Sequence, residues 1–210
     1  MANSKEKIIE QAKALFEKKG YRNVSLREIA EAAGTTIGNL TYHFPQKEDL
    51  ILSMQEGLYA DYLDDYTDSA DEGDGEMALR RLLQSFRQAK RNREDNAFFY
   101  RNIVELSQQS SVVAENMRDF RLKNNRFYLS SFMRMKESGI MRSDISEAQY
   151  ETLAYTIASV SFLWKQDDAS YYDEDMPSFE LDDGLNDLIY PYLTDRGIAL
   201  YDEIAQALGT

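Results

Sequence analysis

The stretch from Ser25 to Leu50, SLREIAEAAGTTIGNLTYHFPQKEDL, constrains the chain more than any other. Ser25, with Glu28 three residues on, forms an S-x-x-E capping box, in which each side chain accepts from the other residue's backbone N–H. Val24 and Ile29 are placed for the hydrophobic staple that accompanies such a start. Ile29, Ala30 and Ala33 then fall on one helical face. Gly34 supplies the left-handed residue that ends this helix. Thr35 or Thr36 recaps the chain within about two residues. The pattern predicts a helix, a glycine turn and a second helix, the form of a helix-turn-helix.

The second helix, Thr36 to Phe44, is unusual for a core element. Leu40 and Phe44 are its only large apolar anchors, an i, i+4 pair. Gly38, Asn39, Thr41, Tyr42 and His43 are small or hydrogen-bonding, and none is acidic. A helix that enters the major groove needs small residues for approach, donors for bases and phosphates, and no carboxylates against the phosphates. A plain polar surface helix would carry the capping box, the glycine turn and the acid-free face only by coincidence.

Three runs then carry a family resemblance. They are A-x-x-L-F-x-x-x-G-Y (Ala12 to Tyr21), V-S-L-R-E-I-A-x-A-A-G (Val24 to Gly34) and G-N-L-T-Y-H-F-P-x-K-E-D-L (Gly38 to Leu50). Together they resemble the N-terminal domain of the TetR family of transcriptional regulators. The match covers roughly the first 50 residues. It implies a homodimeric, all-helical, ligand-responsive regulator, most often a repressor. Positions matching the family's DNA-binding surface are Ser25, Arg27, Thr35, Thr36, Ile37, Gly38, Asn39, Thr41, Tyr42, His43 and Lys47. Among them, Arg27, Ile37, Gly38, Asn39 and Thr41 match base-reading positions, and Lys47 matches a phosphate-contacting lysine. The chain departs from the family at Thr41, where tyrosine is frequent, and at Gln46, where Ser, Asn or Gly is frequent.

The net charge of −13 opposes DNA binding if taken whole, but it is unevenly spread. Residues 1–50 hold eight Lys/Arg against seven Asp/Glu, and the remaining 160 hold 16 against 30. An acidic body is repelled by a duplex, which predicts a strong salt dependence of binding. The chain has no cysteine and one histidine, His43, which excludes disulfides, thiol catalysis and a histidine-based metal site. No apolar run reaches the ~18 residues of a membrane span, and the polar start MANSKEK does not read as a signal peptide. A cytoplasmic protein without cofactor or membrane association is expected.

Hydrophobic periodicity predicts helices throughout. The first is capped at Asn3 or Ser4, has an Ile8, Ala12, Leu15, Phe16 stripe, and ends at Gly20. The fourth opens at Lys47 and faces the core with Leu50, Met54, Leu58 and Tyr62. Asp71 to Glu76 is a loop. Further helices are expected over about 76–91, 95–107, 111–137, 147–165, 183–193 and 196–208. The sixth, apolar nearly all round, is expected to be central. The acidic segment 166–183 reads as a long loop. The fold class is therefore all-α, with a helix-turn-helix domain over 1–46 and a larger helical effector-binding and dimerisation domain over 47–210.

Large adaptable side chains in that second region are candidates for an effector pocket: Phe86, Phe99, Met117, Phe127, Met133, Tyr155 and Trp164. For most of them core filling is the better account. An effector there is expected to be a moderately hydrophobic small molecule, neutral or cationic. The expected partners are an operator duplex, that small molecule and a second copy of the chain. The helix over 147–165, with its small-residue strip of Ala154, Ala158 and Ser161, and the helix after it are the candidates for the dimer contact. The sequence has no cysteine, no histidine outside the DNA-binding helix, no phosphate loop and no G-x-S-x-G, which argues against an all-α enzyme. The paired carboxylates of Asp61 with Asp64 and Asp65 read as solvated acids at a helix end. An acidic protein-binding adaptor would explain the charge but not the acid-free helix.

Overall fold

The computed structural model describes residues 4–63, 73–163 and 180–208, with side chains described throughout except at 58–63. The described residues form two compact units, Met1–Ala60 with Arg101–Met117, and Asp61–Tyr100 with Arg118–Thr210. The predicted side chains Leu58, Tyr62 and Trp164, and most of the 166–183 loop, lie outside the described residues.

In the first unit, α1 (Ser4–Lys19), α2 (Leu26–Ala32) and α3 (Ile37–His43) pack mutually. A short 3-10 turn at Tyr21–Asn23 joins α1 to α2. The periodic residues make the core: Ile8, Ala12 and Phe16 from α1, Ile29 and Ala30 from α2, Leu40 from α3 with Phe44, all at most 2 % exposed. Gly20, at φ 78°, carries the turn out of α1, where a side chain would be strained. The α4 helix (Lys47–Leu63) adds Leu50, Ile51 and Met54 to this core, together with fully buried Gln55, whose amide donates to the Val113 carbonyl at 3.4 Å.

The second unit draws on α5 (Gly75–Asp95), α6 (Ala97–Gln109), α7 (Ser111–Glu137), α8 (Glu147–Leu163), α9 (Leu181–Ile189) and α10 (Asp195–Leu208), of which α6 and α7 also contribute residues to the first. Helix α9 packs on α5 and α8, and α10 packs on α5. Phe86, Tyr128, Phe132 and Tyr150 are its largest fully buried side chains. The expected helix over 183–193 is instead α9 followed by a 3-10 turn at Tyr190–Tyr192, because Pro191 has no N–H to continue the ladder. The sixth helix is not buried all round. Phe98, Phe99, Tyr100, Ile103 and Leu106 are inside, but Val104 is 49 % exposed.

Backbone proximity ties the end of this unit together. Met141 and Leu193 form a single antiparallel bridge, flanked by Arg142 N–H to Tyr192 O at 2.9 Å and Thr194 N–H to Ile140 O at 3.0 Å. A Cβ at Gly197 would stand 2.1 Å from the Ile140 carbonyl oxygen, so only glycine allows α10 this approach.

Candidate nucleic-acid interface

The capping box of α2 forms as its residues dictate. Ser25 Oγ accepts from Glu28 N–H, and the Glu28 carboxylate accepts from Ser25 N–H at 2.9 Å. Lys19 Nζ, 2.8 Å from the same carboxylate, is the largest reason its pKa falls to about 2. Ser25 is therefore occupied by its own helix, while Arg27 on α2 is exposed.

Gly34 takes φ 66°, with open space around it, and turns the chain into α3. Thr36 is the N-cap, its Oγ1 accepting from Asn39 N–H at 3.1 Å. The Asn39 amide nitrogen donates to Thr35 Oγ1 at 2.8 Å and to Ser4 Oγ at 3.0 Å, which ties α3 to the start of α1. Thr41 Oγ1 turns back to the Ile37 carbonyl at 2.9 Å. These bonds commit the polar side chains to holding α3 in place. Its outward surface is left to Ile37, Gly38 and above all Tyr42, which is 81 % exposed. The His43 ring stands edge-on to Tyr42, with centroids 5.2 Å apart. A phenol so exposed on a helix without acids is an amphipathic, hydrogen-bonding probe.

Lys47 is only part-exposed. Its ammonium donates to the Tyr21 carbonyl at 2.6 Å and the Val24 carbonyl at 2.9 Å, and sits 4.2 Å from the Tyr21 ring centroid. Burial lowers its pKa, against the pull of Glu48. The Tyr21 hydroxyl in turn donates to Glu48 at 3.1 Å, and burial, then Glu48, raise the phenol's pKa. The start of α4 is thereby fastened to the turn before α2. The first turn of α4 closes through the backbone and Asp49: Asp49 N–H donates to the Gln46 carbonyl at 3.2 Å, and the Asp49 carboxylate accepts from Gln46 N–H at 2.7 Å. No local sequence signal carries these bonds, since 26 residues separate Lys47 from Tyr21.

The pocket candidates scatter. Phe86, Phe99 and Phe127 are buried, Met117 and Met133 half-buried, and Tyr155 is 60 % exposed on α8. The Tyr128 ring lies 6.0 Å from that of Phe86 and 5.5 Å from that of Phe127, the packing of a filled core. A partly open cavity of about 10 Å³ in the second unit is lined by Ala89, Tyr100, Phe120, Arg121, Asn124, Ala158, Ser161 and Phe162. None of the six described candidates lines it. Asn124, 6 % exposed, turns a carbonyl oxygen without a hydrogen-bond partner among these residues. That unsatisfied acceptor is a polar signal that apolar periodicity does not reveal.

Among the described residues no helix is long and apolar enough to cross a membrane, and no cluster of carboxylates or histidine could hold a metal ion.

Comparison with known proteins places this geometry. The family described as "Bacterial regulatory proteins, tetR family" matches residues 8–54, and that described as "Bacterial transcriptional repressor" matches residues 59–201. The HTH-type transcriptional regulator TtgR of Pseudomonas putida is 35 % identical over 82 residues, 38 % of this chain and 39 % of that one. The chain thus spans about two-fifths of the length of that curated relative. A TetR-family transcriptional regulator from Marinobacter aquaeolei VT8 superposes with a TM-score of 0.76 at 22 % identity, over 97 % of this chain and 99 % of that one. AibR, solved in complex with isovaleryl coenzyme A and operator DNA, superposes with a TM-score of 0.64 at 17 % identity, over 91 % and 100 %. At these identities the structures speak for the fold alone. The family matches, which cover the helix-turn-helix and more than half of the chain besides, carry the assignment: this chain belongs to the TetR family of bacterial regulatory proteins.

Proposed function

We propose that the chain is a ligand-responsive, sequence-specific DNA-binding regulator, a repressor that holds a palindromic operator as a homodimer and releases it when a small molecule binds. The observation that carries this reading is the outer face of α3: acid-free, opened by Gly38 and led by the exposed Tyr42. The shape suits major-groove entry, with Ile37, Gly38 and Asn39 at the leading end of the helix. One such helix reads too few base pairs for specificity, and a twofold pair reads two half-sites about 34–36 Å apart or a little more. Exposed Tyr155 and Leu163 on α8 support that helix as the dimer surface. Helix α9 has six of its nine residues buried within its own chain and is the weaker candidate.

For the effector, we favour the cavity beside Arg121 and Asn124 over the seven residues expected from sequence. Its walls are aromatic and small, and its polar groups include a guanidinium, the Tyr100 and Ser161 hydroxyls and an unsatisfied amide oxygen. That chemistry suits a mostly apolar molecule carrying a hydrogen-bonding head group and disfavours a cation. At about 10 Å³ it holds no more than a water, so an effector has to open it, which is how ligand binding would be coupled to a change of state. Regulation of transcription accounts for the acid-free face of α3 without any catalytic role.

Light scattering of the purified chain, alone and with a palindromic duplex from its own upstream region, tests the reading. A dimer that binds one operator with two half-sites supports it. A monomer at micromolar concentration that does not dimerise on DNA contradicts it.

A further inference from the structure

Helices α9 and α10 line an open surface groove of about 450 Å³ in the second unit, apart from the cavity beside Arg121. Its polar lining comes from Asp183, Asn186 and Asp187 on α9 and from Tyr201, Asp202 and Gln206 on α10. The volume falls within the range of small-molecule sites.

The sequence of α9 explains the groove. Leu181, Leu185 and Ile189 turn into the core at helical spacing, which sends Asp183 and Asp187, an i, i+4 pair, to the other side. Like charges so placed repel and destabilise a helix. Among the described residues neither of them, nor Asp202 across the groove, has an ion-pair partner, while Lys90 goes to Glu180 and Asp182 instead. Asn186 lies between the two acids, 9 % exposed, and its side-chain oxygen has no hydrogen-bond donor. Tyr201 is half-buried, and its ring meets Tyr190 edge-on at 5.5 Å. Burial first, then Asp187, Asp202 and Asp183, raise the Tyr201 pKa, so all three carboxylates act on one point of the groove.

The charged groups lining the groove are all carboxylates, and with the Asn186 oxygen they select the ligand. Three carboxylates ask for more than one positive charge. Among the described residues no three acids stand close enough to hold one metal ion, since such an ion draws its oxygens to within about 2.6 Å. The charge must therefore be spread along a molecule. The unsatisfied Asn186 oxygen needs an N–H donor, which a quaternary ammonium lacks. We infer that this groove binds a linear aliphatic polyamine, with ammonium groups on Asp183, Asp187 and Asp202, an N–H on the Asn186 oxygen, and methylenes along Tyr201 and Ala205. The inference goes beyond operator binding and does not depend on it.

The test is calorimetric titration of the full chain with spermidine, without DNA, at fixed ionic strength, with putrescine, tetramethylammonium and magnesium as comparisons. The expected result is saturable binding of one spermidine per chain, weaker binding of putrescine, and none of the other two. Asp187→Asn/Asp202→Asn should weaken spermidine by about tenfold, the sum of two part-exposed ion pairs. Glu115→Gln/Asp119→Asn removes the same charge from the exposed face of α7 and should leave binding unchanged. Melting curves confirm that each variant folds. Magnesium binding as well as spermidine, or equal losses in both double variants, would reduce the effect to general acidity and overturn the inference. So would a dimer whose formation blocks spermidine, because a second copy would then fill the groove.

Discussion

The Lys47 ammonium lies 2.6 Å from the Tyr21 carbonyl oxygen and 4.2 Å from the centroid of the same residue's ring. With the Val24 carbonyl it uses two of its three N–H donors inside the chain. One donor is left for a phosphate. Lys47→Ala should therefore do two separable things. It should destabilise the helix-turn-helix unit by about 1–2 kcal/mol, since two part-buried carbonyls lose their donor. It should also weaken every duplex alike and flatten the salt slope by about one unit. Thermal melting reads the first effect and a salt titration the second. A loss of stability with an unchanged slope would make Lys47 a strut alone.

Beyond its own helix backbone, a Cβ added at Gly38 would meet nothing closer than Thr36 Oγ1 at 4.0 Å. A methyl group there fits within the chain, and alanine favours helix over glycine by about 0.5–1 kcal/mol. Gly38→Ala should raise the melting temperature and lower DNA affinity, because the added Cβ stands where the helix approaches the groove. A variant both more stable and equally tight would remove Gly38 from the interface.

Asn39 gives both amide hydrogens to Ser4 and Thr35. Its carbonyl oxygen is the group on offer to a base, and in the major groove it suits the amino group of adenine or cytosine. Selection from a randomised operator should show Asn39→Ala losing preference at one position of each half-site, with little change elsewhere. A uniform loss across sequences would assign Asn39 to positioning α3.

Glu28 ionises with a pKa of about 2 in the folded chain, against about 4.3 for an unfolded glutamate. The folded value is depressed, so its contribution is complete above about pH 4.3 and is lost as the pH falls toward 2. Glu28→Gln keeps the capping geometry without the charge. The variant should show a shallower loss of stability through that window than the parent chain, measured by denaturant unfolding at stepped pH. Parallel curves would mean that the Lys19 pair adds nothing in solution.

What the sequence revealed is what short-range physics governs. The capping box at Ser25 and Glu28, the left-handed Gly34 and the apolar stripe of α1 are settled within a turn or two of chain, and the structure has them in place. The bond between Lys47 and Tyr21 and the approach of Gly197 to Ile140 depend on distant segments meeting, and no periodicity encodes them. The effector region was least legible. Large side chains such as Phe86 and Phe127 mark a core as readily as a pocket, while the groups that stand out are polar atoms without partners, as at Asn124 and Asn186. Val104 shows the limit of composition: an apolar residue in an apolar run can still face water.

The account turns on α3 reading DNA. The most direct measurement is fluorescence anisotropy of the full chain on a duplex from its own upstream region and on a scrambled duplex, across a salt series. The prediction is a specific complex about 10³-fold or more tighter than the scrambled one, with affinity falling steeply as salt rises. Equal affinity for both duplexes at every salt concentration would contradict it.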